Sequence, residues 1–376
     1  MRVAVVAREL NATPEGRARR RLATLVDSLA SRGHSVAVVC HPWWAVDGES
    51  EADGSEPGAS GQSASDDESP PEGASPARRV TVDGVRYFGV PRKRRWPFSL
   101  IRSLVGFDPD VIHTTARPAQ TVAASVAGSL ARSPLVVEYA SPSAPTSRSD
   151  RLGLSEPAAV VTPSELVQTR VREQLRSDDH VRILPTSVDV DRIHAIDPVG
   201  EDDAVFAAPL DGSSGLDDLL LALAELRDRD FSVSVFGEGS RRAALEVQTR
   251  DLRIDGRVTF RGWPDAEDRI ARYRGAHTFV QAARIEPFAE ELLRALVAGC
   301  VGIVEYQADS SAHELIVHRD RHFRVTDPEE IADALLAAGD IDRQTASTEF
   351  DEYDHETVLE RYLDLYRELG RRFGWL

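Results

Sequence analysis

The chain has 376 residues, 41% of them hydrophobic, with 62 acidic residues against 45 basic ones and a net charge of −17. That length and hydrophobic share exclude a peptide, a coiled-coil rod and a wholly disordered chain, and suit two domains with separate cores. The negative balance argues against a duplex-binding protein that relies on phosphate neutralisation, so no nucleic acid partner is expected.

The N-terminus MRVAVVAREL opens directly into an apolar strand, and no stretch approaches the roughly 18 apolar residues of a spanning helix. A cytoplasmic protein is expected. Cys40 and Cys300 are the only cysteines, too few for a disulfide framework or a zinc cluster, so two buried thiols and no metal site are expected.

In chain order, RVAVVA (2–7) reads as a buried strand. A helix follows over 17–32, with Leu22, Leu25, Val26 and Leu29 at helical spacing and Gly33 to end it, and then the strand SVAVVC (35–40). Residues 47–75 are almost entirely Gly, Ser, Pro, Ala and acid, with nine carboxylates and no basic residue. They read as a disordered acidic insertion with nothing to bury. A hairpin around Asp83-Gly84 comes next, then the strands DVIHTT, LVVEYA and AAVVTP. VRILPTS closes this half near residue 187. A second alternation runs through AVFAAPL, SVSVFGEG, RVTFRGW, HTFVQAAR, VGIVEY and HFRV, with helices between. The final helix over 355–373 has Val358, Leu359, Tyr362, Leu363 and Tyr366 on one face. The expected fold class is α/β, with two Rossmann-like doubly wound domains (1–187 and 188–353) facing across a cleft and a last helix (354–376) packed back towards the first. The ligand is expected at the carboxyl ends of the strands.

Two features point to chemistry. Gly237-Glu238-Gly239 ends a strand and opens a helix, which lets backbone amides approach an anion; a tight strand-to-helix turn is the plain alternative. Glu286 precedes Pro287, read as the first position of a helix, so its carboxylate can meet sugar hydroxyls or cap its own helix.

Several segments in order resemble the nucleotide-sugar glycosyltransferases of the GT-B fold, family 4. They are SRGHSVAVV (31–39), DPDVIH (108–113), VVTPSELVQTRV (160–171), LPTSVDVDRI (184–193), VFGEGSRRAALE (235–246), RVTFRGW (257–263), EPFAEELLRALVAGC (286–300) and HELI (313–316). The resemblance implies a retaining transfer from a nucleotide-diphosphate sugar, with no further cofactor, to an acceptor such as a lipid-linked glycan or glycolipid. It implies Glu286 as the catalytic residue against the donor sugar. Gly237, Glu238, Gly239, Arg284, Glu290, Arg294 and Glu314 fall on the donor side, and Gly16 and His113 on the acceptor side. The composition, with Lys93 the only lysine, resembles that of proteins from salt-loving archaea.

The chain departs from the family's pattern at definite places. The second glutamate, eight positions after the first, is Arg294, and Glu290 and Glu291 lie one turn earlier. The usual Arg and Lys of the second domain's first loop, which face the departing diphosphate, are Pro209 and Ser214. Ala140 replaces a His, Ser310-Ser311 a Gly pair, and Glu15-Gly16 the Gly-Gly of the first loop. A catalytically degenerate homologue serving as a partner subunit is therefore the second reading, and an epimerase on the same fold a third. Arg92, Lys93, Arg94, Arg95 and Trp96 form a basic and aromatic cluster ahead of an amphipathic helix. It suits either a peripheral contact with an anionic membrane, at the inner face of the cell membrane, or a helix covering the sheet with its charges solvated. Oligomeric state is not legible.

Overall fold

The structure is a computed structural model that describes residues 1–7, 10, 17–43, 79–90, 96–141, 143–145, 154, 157–175 and 180–374. The acidic insertion 47–75, the basic residues Arg92, Lys93, Arg94 and Arg95, and Gly16 lie outside the described residues.

The chain divides into two compact units, Met1–Thr115 with Ala119–Leu135, and Ala116–Pro118 with Val136–Leu376. The first unit contains β1 (Arg2–Val6), α1 (Arg17–Ser31), β2 (Ser35–Cys40), β3 (Arg79–Val82), β4 (Val85–Gly89), α2 (Trp96–Phe107), β5 (Val111–Thr115) and α3 (Pro118–Ala131). Its strands run in the order β3-β4-β2-β1-β5 and are parallel apart from the β3–β4 hairpin. Asp83 (φ 48°) and Gly84 (φ 79°) both sit in the left-handed region, as a two-residue hairpin turn matched to strand twist requires. β1, β2 and β5 are buried on both faces, which explains their apolar runs.

The second unit opens with β6 (Leu135–Glu138), β7 (Ala159–Thr162), α4 (Glu165–Arg172), β8 (Val181–Ile183) and α5 (Val190–Ala195). It continues through β9 (Ala204–Ala207), α6 (Leu216–Glu225), β10 (Val233–Phe236), α7 (Arg242–Asp251), β11 (Val258–Phe260), α8 (Ala266–Gly275) and β12 (Thr278–Gln281). It ends with β13 (Ile285–Glu286), α9 (Glu290–Val297), β14 (Val301–Glu305), β15 (Asp309–Ser310), β16 (Phe323–Val325), α10 (Pro328–Ala338) and α11 (His355–Phe373). Six of these strands form a sheet in the order β11-β10-β9-β12-β14-β16, every adjacent pair parallel. One face packs Phe236, Tyr273, Phe279, Leu292 and Leu296 into a core, and the other packs Phe206, Leu219, Leu223, Ile331 and Leu335. The chain winds outward from β9 in one direction and from β12 in the other, so their carboxyl ends diverge at the switch point where ligands of open α/β sheets bind.

Strands β6 to β8 group with the C-terminal residues for a visible reason. Tyr362 of α11 donates its hydroxyl to the buried Glu138 carboxylate, His355 Nδ1 lies 2.8 Å from Ser187 Oγ, and Val188 bridges to Asp354. Helix α11 is held at its start by Asp354, whose carboxylate accepts from Glu356 N at 2.9 Å, and ends at Gly374 with φ 79°. Cys40 and Cys300 are buried thiols whose pKa values burial pushes up to about 12.

His322 supplies a titration with a definite sign. Gly302 N donates to its Nδ1 at 2.9 Å, which places the ring proton on the buried Nε2, and the nearest carboxylate, Glu349, is 3.9 Å away. Burial, with Arg321 and Arg319 adding to it, pushes the imidazole down to about 4 from an ordinary value of 6.5. The folded state therefore resists the proton that the unfolded chain takes up. The contribution is fully present above pH 6.5 and is lost as pH falls towards 4. His322→Gln, which keeps an acceptor for Gly302, is expected to flatten the fall in thermal midpoint between pH 6.5 and 4.

Candidate functional site

The carboxyl ends of β9, β12 and β14 meet around one loop. Residues 208–215 leave β9 and turn into α6 at Gly215, which adopts φ 71° and lies so close to Ala282 that a Cβ would stand 2.0 Å from its carbonyl oxygen. Only glycine fits there. Arg284 N donates to Ser213 O at 2.9 Å, so the end of β12 and this loop are tied directly together.

Glu286 forms β13 with Ile285 and pairs with β15. Ser311 N donates to Glu286 O at 2.8 Å, and Ser311 Oγ to Pro287 O at 2.9 Å. These bonds hold Glu286 and Pro287 in a short ladder, so α9 starts later than the sequence suggests. Pro287 is not its first position; Ala289 is the N-cap and Glu290 the first helical residue. The Glu286 side chain is buried beside this ladder.

Gly237 and Gly239 press against the same β9 loop. A Cβ on Gly237 would stand 2.3 Å from Ala208 O, and one on Gly239 would stand 2.3 Å from Leu210 O. Gly237 N donates to Gly262 O at 2.8 Å, and Leu210 N to Glu238 O at 2.9 Å. The glycine pair thus seats two loops on each other, and Glu238 turns outward to pair with Arg242.

Arg241 and Arg284 are each matched by a carboxylate. Arg241 grips Asp217 through two nitrogens at 2.7 and 2.9 Å, and Arg284 Nη2 lies 3.3 Å from Asp218. Both acids belong to the first turn of α6, directly after the loop in which the family resemblance sets two cations. Ser214 is buried and accepts from Leu216 N at 3.4 Å, while Pro209 is exposed.

Arg294 pairs with both Glu290 and Glu291 on its own helix. Glu291 also accepts two bonds from Arg269, at 3.0 and 3.1 Å, and one from Tyr273 OH at 2.7 Å. Burial alone would raise the Glu291 carboxyl, but the Arg294 and Arg269 guanidiniums beside it bring it down to about 2. Glu314 accepts from Glu165 N and Leu166 N, both at 2.8 Å, and so caps the start of α4. His113 is fully buried within β5, beside Val5 in register.

Glu305, which the sequence reading passes over, ends β14 with one carboxylate oxygen held by Gln307 at 2.7 Å and the other buried without a hydrogen bond. Burial, and then Asp218, raise it to about 7. Its signal in the sequence is an acid closing the apolar run VGIV at the carboxyl edge of a strand. Among the described residues no group of three or more His, Cys, Asp or Glu is arranged to hold a metal ion.

Residues 18–186 match the family model described as a glycosyl transferase 4-like domain, and residues 201–339 match glycosyl transferases group 1. Among solved structures, a glycosyltransferase from Rickettsia africae superposes with a TM-score of 0.74 at 14% identity, over 98% of each chain. HepE of Anabaena, solved in complex with UDP, gives 0.71 at 14% identity, over 98% of this chain and 100% of its own. A sucrose-phosphate synthase from Thermosynechococcus elongatus gives 0.68 at 14% identity, over 99% of each. No curated protein matches the sequence.

Glu291 is the residue on which the α8–α9 contact turns. Glu291→Gln leaves the Arg269 and Arg294 guanidiniums short of a counter-charge, and is expected to lower the unfolding free energy by about 3 kcal/mol. Denaturant titration with an unchanged m-value is the check. Arg294→Glu, which would restore the family's residue, sets a third carboxylate beside Glu290 and Glu291 and is expected to destabilise as well.

Proposed function

Because the chain belongs to the glycosyltransferases of the GT-B fold, with a glycosyl transferase 4-like domain followed by a group 1 domain, we propose that it transfers a sugar from a nucleotide-diphosphate sugar to a lipid-linked glycan or glycolipid, with retention at the transferred carbon. The observation that carries this reading is the seating of Glu286. It stands buried on a hydrogen-bonded ladder at the carboxyl edge of the sheet, immediately before α9, where its carboxylate can accept from the donor sugar's hydroxyls. HepE has been solved with UDP-glucose as well as with UDP, which supports uridine as the nucleotide.

Arg284 and Arg241 are the cations for the departing diphosphate. Each is held by a carboxylate in the first turn of α6, and a phosphate oxygen arriving there exchanges for that carboxylate. Negative charge building on the leaving group strengthens such a contact in the transition state more than in the ground state, which is the condition for catalysis.

The partner-subunit reading is favoured by one set of observations. Pro209 and Ser214 carry no charge where the family has two cations, and Arg294 is committed to Glu290 and Glu291. Calorimetry with UDP and UDP-glucose separates the two. Binding by the wild type, with turnover cut at least about a hundredfold in Glu286→Gln and the fold retained, supports the transferase. Failure to bind either ligand removes it in favour of the subunit.

A further inference from the structure

The segment after β14 makes a short path of hydrogen bonds to Glu286. β15 lies in register with β13, Asp309 opposite Ile285 and Ser310 opposite Glu286, and Ser311 N donates to Glu286 O at 2.8 Å. Residues Ala312–Leu315 then form a single 3-10 turn, closed where Glu314 N donates to Ser311 O at 2.9 Å. The backbone of Glu314 is thus one turn and two hydrogen bonds away from that of Glu286.

The Glu314 side chain leaves this turn. Its Oε2 accepts from Glu165 N and its Oε1 from Leu166 N, each at 2.8 Å, so both oxygens are committed to the first two amides of α4. Bonds of this length to a carboxylate are about twice as strong as neutral ones. Helix α4 does not need them in order to begin. Ser164 is already its N-cap and accepts from Val167 N at 3.3 Å, and Glu165 is exposed, so solvent satisfies its amide without a carboxylate. What the two bonds change is the segment that carries Glu314, which they tie to a helix.

A second hold lies further along α4. Arg170 Nη2 donates to Ala308 O at 3.1 Å, and the same side chain pairs with Asp309. The Asp309 side chain is 59% exposed, so the ion pair itself contributes little, and the bond to the Ala308 carbonyl is the part that fixes where β15 starts. α4 therefore grips residues 308–314 at both ends.

The ladder between these holds is too short to keep its own register. β13 and β15 pair over two residues each and form a sheet of their own. Ala312 and Leu315 are buried in the same core as Phe288 and Leu292, which sets the depth of the turn, but apolar packing is non-directional and does not choose which residues face each other. The hydrogen bonds from α4 do.

We propose that Glu314, together with Arg170, is a positioning residue for Glu286: through α4 it fixes the register of the β13–β15 ladder and with it the place of the Glu286 carboxylate. The proposal rests on the reading of Glu286 as the group that meets the donor sugar, and it gives Glu314 a role other than direct contact with the donor.

Hydrogen exchange of the full chain, read by mass spectrometry, tests the coupling without a ligand. In Glu314→Ala the Ser311 amide, whose acceptor is Glu286 O, is expected to exchange at least about tenfold faster. Arg170→Ala leaves the first amides of α4 capped and is expected to speed the same amide, which keeps the test decisive if Glu314→Ala lowers the thermal midpoint. Faster exchange confined to Glu165, Leu166 and Val167 makes Glu314 a cap and nothing more, and overturns the proposal. Calorimetry reads the consequence. Both variants are expected to bind UDP within about twofold of the wild type and to lose at least about fivefold on UDP-glucose. An equal loss on both ligands, which is general loosening, or an unchanged affinity for UDP-glucose also overturns it. A wild type that binds neither ligand removes the transferase reading, and the exchange of Ser311 then decides the coupling by itself.

Discussion

Everything at the candidate site depends on how closely the loop after β9 lies on the end of β12. With Gly215 pressed on the Ala282 carbonyl, α6 begins directly beside the residues that follow β12, and the Ser213–Arg284 backbone bond fixes the spacing. Gly237 and Gly239 bring the loop after β10 onto the same segment from the other side. A side chain at any of these three glycines would push apart the strand ends whose divergence makes the crevice at the switch point. The glycines are therefore packing residues first. Their effect on the candidate site is indirect, through the position they give to the first turn of α6.

That first turn is acidic, which is ordinary for a helix start because Asp217 and Asp218 complement the dipole. Arg241 and Arg284 are the direct partners of these two carboxylates. The same logic governs α9. Arg294 stands where the family resemblance sets a glutamate, and its charge is absorbed by Glu290 one turn back and by Glu291, which Arg269 and Tyr273 hold in place. The exchange is local and self-consistent. Changing Arg294 alone back to the family's residue disturbs a network that has been rebuilt around it.

How much of this the sequence discloses follows from the range of each interaction. Strands and helices were legible because burial on both faces leaves an apolar run, as in SVAVVC for β2, and because 3.6-residue spacing survives in the amphipathic α11. The Asp83-Gly84 turn was legible from its two residues alone. Ion-pair assignments were not, because Arg269 meets Glu291 across 22 positions and Arg284 meets Asp218 across 66. Glu314 reads as a donor contact from the HELI segment, yet its carboxylate holds two backbone amides of α4, 149 and 148 positions away. The start of α9 was misplaced for a similar reason. Pro287 suits a first helical turn locally, but the Ser311 bonds to Glu286 and Pro287 keep both in an extended ladder.

The matched charges also bear on what kind of ligand the site can take. A neutral ligand offers nothing in exchange for the Arg241–Asp217 and Arg284–Asp218 pairs, so those pairs stay closed and the crevice keeps its own hydrogen bonds. On the proposed reading, an anion with several oxygens takes over one guanidinium without leaving it uncompensated. Glu305 stands beside this exchange. Burial, and then the neighbouring Asp218, raise its carboxyl to about 7. On the proposed reading, a crevice built in this way discriminates by charge before it discriminates by shape, which is what a nucleoside-diphosphate site needs in a chain this acidic.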